Sequence, residues 1–166
     1  MSSTQVPNIR TIENTLTIVC QDEAGVARAT QVAWDVIRQF ELFPTFMPEI
    51  VPKVTVIEEG NNWTKTQWLV YLNKVPYEWT AEDNYFPEKL RIESRAHPNA
   101  RYNQFSAFWQ IDHSDKNVRI QHFMCFELKP HIDKMNGPVT EVRMKQTSSK
   151  MVEAITARIN LLLTES

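Results

Sequence analysis

The chain has 166 residues, enough for one domain with a substantial core, and its 42% hydrophobic and 23% charged content is ordinary for a globular protein. A formal net charge of −2 argues against broad electrostatic attraction to nucleic acid or to an anionic membrane surface. No apolar run approaches the roughly 20 residues needed to span a bilayer.

Residues 1–14 are predicted to form a flexible leader ahead of a single domain over 15–166. The leader is polar and lacks the apolar core of a secretion signal, which together with the isolated thiols of Cys20 and Cys125 points to a reducing cytoplasm. Thr15–Cys20 reads as a strand, which Val26–Ala29 continues or resumes after the break at Asp22-Glu23-Ala24-Gly25. Thr30 is expected to cap a helix running through Trp34 to Phe40. Pro44 and Pro48 bracket Thr45-Phe46-Met47 and leave room only for a short second helix or turn.

From Val51 onward the hydrophobic pattern has period two. Val54–Glu59, Trp63–Leu72, Pro76–Tyr85, Lys89–Ala96, Asn103–Asp112 and Val118–Lys129 read as six consecutive strands joined by short turns, a pattern that favours an antiparallel meander. Asn136-Gly137-Pro138 then reads as the opening of a long helix to Leu163. Its buried stripe is apolar at Met151, Ile155, Ile159 and Leu162, but traced backwards it reaches Ser148 or Thr147 before Met144. A helix whose buried face turns polar halfway suits a core that is part packed and part cavity. The expected architecture is α+β: a curved, antiparallel seven-stranded sheet gripping a long C-terminal helix, with two short helices after the first strand.

Two strands carry one misfit each on the apolar face. Asp83 shares its face with Tyr77, Trp79 and Ala81, and His122 shares its face with Ile120, Met124 and Phe126. A buried ionisable group must be paired, hydrated or useful. An imidazole with an ordinary pKa near 6.5 suits a general base; the alternative is a histidine satisfied by a neighbouring backbone or hydroxyl group. Asp83 reads either as a carboxylate at the sheet rim or as a partner orienting an imidazole or a substrate hydroxyl. Tyr77, Trp79, Trp109, Phe105 and Met124 are core residues at least and cavity-lining candidates. Thr147 and Ser148 could hydrogen-bond a ligand or satisfy each other, and Phe46 and Met47 suit a portal. His97, His113 and His131 fall in loops without metal-ligand spacing, and no phosphate loop, nucleophile elbow or dinucleotide fingerprint occurs, so neither metal nor cofactor is expected.

Several segments add a resemblance over about Val26 to Leu163. They are Val32-Ala33-Trp34-Asp35-Val36-Ile37, Phe43-Pro44-Thr45-Phe46-Met47-Pro48, Tyr77-Glu78-Trp79, Phe108-Trp109 and Phe126-Glu127-Leu128-Lys129-Pro130. In these the chain resembles the START/Bet v 1-like superfamily of helix-grip domains, and within it the polyketide cyclase/aromatase branch. The resemblance implies an enzyme that folds a poly-β-ketone chain and promotes aldol condensation and dehydration, without a cofactor. It places Trp79, Trp109 and Tyr77 in the cavity lining, with His122 at a further lining position as the residue that takes or relays a proton. Asp83 and Tyr77 would assist, with Phe46, Met47, Phe105, Met124, Met144, Thr147 and Ser148 around the substrate. The arginine proposed as an anchor in several family members falls on Asp83, so an arginine-driven mechanism does not transfer. The implied partners are a polyketide, free or carried on an acyl carrier protein, and polyketide synthase components of an antibiotic or pigment pathway; a homodimer is left open. The same cavity would also serve a non-enzymatic carrier of a quinone or lipid, since coenzyme-Q-binding relatives share the Phe43–Pro48 texture.

Overall fold

The structure, a computed structural model, describes residues 8–165. Its first strand, β1 (Ile9–Val19), leads into helix α1 (Glu23–Ile37), a 3-10 turn at Phe40–Leu42 and the four-residue helix α2 (Phe43–Phe46). Then follow β2 (Lys53–Gly60), β3 (Trp63–Leu72), β4 (Val75–Phe86), β5 (Arg91–Ala96), β6 (Tyr102–His113) and β7 (Asn117–Leu128), and finally the 35-residue helix α3 (Pro130–Thr164). The strands form one seven-stranded antiparallel sheet in the order β1-β7-β6-β5-β4-β3-β2. The six short-loop strands are neighbours in sequence and in space, as tight turns dictate. β1 is carried by α1 and α2 to the far edge, beside β7. The helix α3 lies along β1 and β7, touches α1, and reaches β3, so the sheet grips it.

Three boundaries differ from the sequence expectation. The strand β1 begins at Ile9, so Ile9–Asn14 are sheet rather than leader; residues 1–7 lie outside the described residues. Alternation across β1 turns Arg10, Ile12 and Asn14 toward α3, and two of these three are polar, which disguised the strand. Val26–Ala29 are helical, not a strand, and Thr30 is not the cap. Asp22 caps α1 by accepting from the Gly25 N–H at 2.7 Å, while the Thr30 hydroxyl bonds back to the Val26 carbonyl at 2.7 Å. Val26, Ala29, Ala33, Val36 and Ile37 then share the buried face at helical spacing.

The third difference is that α3 opens at Pro130 and passes through Pro138. An internal proline removes one helix hydrogen bond. Here Arg10 bonds Asp133 before the proline, at 2.7 Å, and Glu141 after it, so one guanidinium ties both halves of the helix to β1. Gly137 makes this possible, because a Cβ at that position would lie 2.6 Å from Arg10 Nη2 and would also strike the Asp133 carboxylate.

Candidate functional site

The cavity follows from small residues in the middle of the sheet. Register places Asp83, Ser94, Ala107, Met124 and Ile12 in one row across β4, β5, β6, β7 and β1. Ala81, Ala96, Phe105 and Phe126 form the adjacent inward row. Ala81, Ser94, Ala96 and Ala107 therefore make a low floor, and larger side chains rise around it: Phe40, Trp68, Trp79, Phe105, Trp109 and Met124. Met144, Thr147 and Met151 of α3 face the same space, together with His122, and among the described residues no charged side chain lines it. The cavity volume is about 60 Å³. The cavity is a narrow slot with mostly apolar walls. Methionines 124, 144 and 151 give the walls some compliance.

His122 stands at one end of this slot, 3% exposed. Its ring stacks on Trp109, directly opposite on β6, with centroids 4.1 Å apart. Nδ1 lies 2.7 Å from Ser148 Oγ, and Ser148 Oγ accepts from Asn14 Nδ2 at 2.9 Å. The Ser148 hydroxyl proton has no other acceptor among the described residues, so it is donated to Nδ1, which places the ring proton on Nε2. Among the described residues Nε2 has no hydrogen-bond partner, and the sealed polar atoms without partners are Arg10 Nε and Tyr102 Oη. Nε2–H is therefore open to the slot.

Burial lowers the His122 pKa from its ordinary 6.5 to about 3. The ring is therefore neutral near pH 7 and a weaker base than a free imidazole, and one of its nitrogens is already engaged by Ser148. What the geometry offers is a fixed N–H donor. Asn14, which β1 contributes, was missed by the sequence reading because it fell in the expected leader.

Asp83 is fully buried but does not reach His122; β5 and β6 lie between their strands. Oδ2 accepts from Thr64 and Thr66, each at 2.8 Å, and Oδ1 accepts from Ser94 at 2.6 Å. Burial raises its pKa while these hydroxyl bonds pull it down. Trp68 Nε1 donates to Thr66 at 2.8 Å, so the carboxylate indirectly holds an indole of the slot wall. The sheet-rim reading of Asp83 is thereby corrected, and so is an acid–imidazole pair. Thr64, Thr66 and Ser94 escaped the sequence reading because each is an ordinary strand hydroxyl; only their convergence on one carboxylate marks them.

Trp79, Trp109, Phe105, Met124, Met144 and Thr147 lie in the slot wall, whereas Ser148 is turned to His122. Tyr77 is buried outside the slot, with the Arg101 guanidinium 4.5 Å from its ring centroid. Met47 is buried in the main core, and Phe46 packs edge-on against Phe43 at 5.6 Å; neither lines the slot, and Phe40 takes that place. No group of three or more His, Cys, Asp or Glu side chains is gathered as a metal site among the described residues. No described helix is long and apolar enough to cross a membrane.

Among solved structures, the chain is similar to the Zhui aromatase/cyclase from Streptomyces sp. R1128, at 14% identity and a TM-score of 0.79 over 92% of this chain and 94% of that one. It is also similar to a START superfamily protein from Mycobacterium smegmatis, at 13% identity and a TM-score of 0.71 over 92% and 98% of the two chains. Norcoclaurine synthase from Thalictrum flavum shares the fold at 13% identity and a TM-score of 0.64, over 100% of this chain and 96% of that one. These likenesses are of fold, and the fold carries more than one function. A search of curated proteins returns no match. The family described as polyketide cyclase / dehydrase and lipid transport matches residues 26–156, most of the chain. With that match over most of its length, the chain belongs to the polyketide cyclase / dehydrase and lipid transport family.

Proposed function

We propose that this protein is an aromatase/cyclase: it folds a reactive poly-β-ketone intermediate so that aldol cyclisation and dehydration yield one aromatic ring pattern. The observation that supports this best is a single neutral imidazole N–H presented at the end of a narrow, aromatic-walled slot. Methylenes between two ketones are already acidic, so the chemistry needs no strong base. It needs the reacting carbons held together, and such positioning can itself supply several kcal/mol of the barrier lowering. It also needs the oxygen of the attacked ketone stabilised as negative charge develops. A preorganised donor in a dry site does that, and His122 Nε2–H is such a donor. Its low basicity is then useful, because the proton stays on the nitrogen and keeps donating. The aromatic side chains of the wall favour a conjugated, planar product-like conformation. Asp83 and Tyr77, outside the slot, act only through what they hold in place. The substrate arrives free or on an acyl carrier protein from polyketide synthase components.

The test is reconstitution with a minimal polyketide synthase and mass and NMR analysis of the products. Cyclase activity predicts that adding the protein collapses a mixture of spontaneously cyclised products to one dominant aromatic compound. An unchanged mixture contradicts it. A second reading is favoured by one observation, the predominantly apolar lining of the slot among the described residues: a carrier of a hydrophobic small molecule such as a quinone or lipid. That reading predicts stoichiometric retention of ligand with no change in product pattern.

A further inference from the structure

The slot has a second polar end, on its floor. Ser94 lines the slot, and its hydroxyl is committed to Asp83, at 2.6 Å. The direction of that bond follows from the network behind it. An indole nitrogen can only donate, so Trp68 Nε1–H makes Thr66 Oγ1 the acceptor and sends the Thr66 proton to Asp83 Oδ2. Thr64 likewise donates to Oδ2, leaving its own lone pairs for the Tyr85 hydroxyl 2.9 Å away. Two donors therefore converge on Oδ2 and a third on Oδ1, a set that matches an acceptor-only carboxylate. The 2.6 Å contact with Ser94 falls in the range of charge-assisted O–H···O⁻ bonds. With its proton drawn to Asp83, Ser94 Oγ presents only lone pairs to the slot.

We propose that Ser94, oriented by Asp83, is a recognition site for a hydroxyl group, so that the slot binds flat aromatic or enolic ligands carrying a phenol or enol O–H at one end and a carbonyl oxygen at the other. The two polar ends lie on β5 and β7, about 10 Å apart counting strand spacing alone, which suits a fused two-ring system with substituents. Ser94 thus acts as the specificity-determining contact, and Asp83 as its positioning residue. The inference rests on the cavity reading above and adds which ligands the cavity prefers. Binding of a hydroxyl in a site built for it discriminates more sharply than apolar fit does, because the analogue that lacks it leaves a buried acceptor unpaired.

The probes are 2-acetylnaphthalene, 6-hydroxy-2-acetylnaphthalene and 6-methoxy-2-acetylnaphthalene, titrated against the full chain with tryptophan and ligand fluorescence as readouts. The wild type is expected to bind the hydroxy probe about tenfold more tightly than the parent ketone and to gain nothing from the methoxy probe. Ser94→Ala is expected to erase that gap, the hydroxy and parent probes then binding within about twofold of each other. Asp83→Asn, if it folds, frees the Ser94 proton and shifts the preference toward the methoxy probe; Ser94→Ala decides the matter if it does not fold. Equal binding of hydroxy and parent probes by the wild type, a methoxy preference in the wild type, or a gap that survives Ser94→Ala overturns the proposal and leaves the cavity reading standing. Failure of the wild type to bind any of the three probes overturns both.

Discussion

The His122 imidazole stacks on the Trp109 indole with ring centroids 4.1 Å apart and planes inclined by 24°. Such a stack could host a cation, since an imidazolium over an indole face gains about 0.5–2 kcal/mol. Burial weighs more. A pKa lowered from 6.5 to about 3 corresponds to about 1.4 kcal/mol per unit against the charged form, and no acid pairs with the ring. The ring is therefore neutral, the stack is one between flat neutral rings, and Trp109 serves to orient the Nε2–H bond toward the slot.

The first prediction concerns pH and stability. A histidine depressed by burial binds its proton near pH 6.5 in the unfolded chain and only near pH 3 in the fold. Its effect on stability is nil above pH 6.5 and grows increasingly adverse as pH falls toward 3, by at most about 1.4 kcal/mol per unit. Asp83, whose pKa is raised by burial, acts in the opposite sense because the fold takes up its proton earlier than the unfolded chain does. Denaturant melts of wild type and His122→Gln at pH 7, 5 and 4 separate the two: the difference between the proteins should swing toward the variant as pH falls. A difference that does not change with pH would show that His122 is not buried neutral.

Thr66→Val should be costly despite its near-equal volume. It leaves the Trp68 indole N–H without an acceptor and removes one of the three donors from buried Asp83. A loss of about 2–3 kcal/mol is expected in chemical denaturation. Thr64→Val should cost less, because Thr64 and Tyr85 are only partly buried and water can substitute. Equal costs for the two variants would argue that the Thr66–Trp68 link carries no weight.

Ala81→Leu tests whether the slot is open in solution. Ala81 lines the slot, and a leucine there would take up part of its empty space. Planar ligand binding should fall at least tenfold while the unfolding midpoint stays within a few degrees of wild type. If the space is filled, the extra atoms would instead cost about 1–3 kcal/mol through overpacking.

Gly137→Ala sets helix propensity against tertiary packing. Propensity alone predicts a gain of about 1 kcal/mol in a helix interior. The added methyl would enter the path of the Arg10 guanidinium, at 2.6 Å from Nη2, so the variant should gain nothing and lose the Arg10 tie between the helix halves. In an Arg10→Met background the contact with Arg10 is gone but the closer one with Asp133 Oδ1 remains, so the change should cost less without becoming stabilising. Thermal melts of the two single variants and the double variant give the coupling.

Legibility in the sequence tracked how locally each feature is determined. Alternation along Asn117–Leu128 placed His122 and Met124 inward, and the short turns dictated the meander, because strand parity and turn length are local. The start of β1 was hidden because Arg10 and Asn14 face inward only to meet Asp133, Glu141 and Ser148, partners more than a hundred residues away. The start of α3 was hidden for the same reason: Asn136-Gly137-Pro138 has the chemistry of a helix opening, and only the Arg10 tie explains how the helix runs through it. The inward alanines at 81, 96 and 107 were a readable sign of a hollow floor, since small residues on the buried face of neighbouring strands leave space. Burial depth was not readable, and it is what lowers the basicity of His122.

The most direct test compares ring formation by His122→Gln and His122→Phe in the reconstituted polyketide system. Glutamine can place an amide N–H near the Nε2 position and does not titrate; phenylalanine keeps a flat ring over Trp109 but has no donor. If His122 works as a neutral donor, glutamine keeps most of the rate and the product pattern, while phenylalanine loses on the order of 10²-fold and scatters the products. Equal loss in both variants would contradict the donor role and return the proton-transfer role to the imidazole.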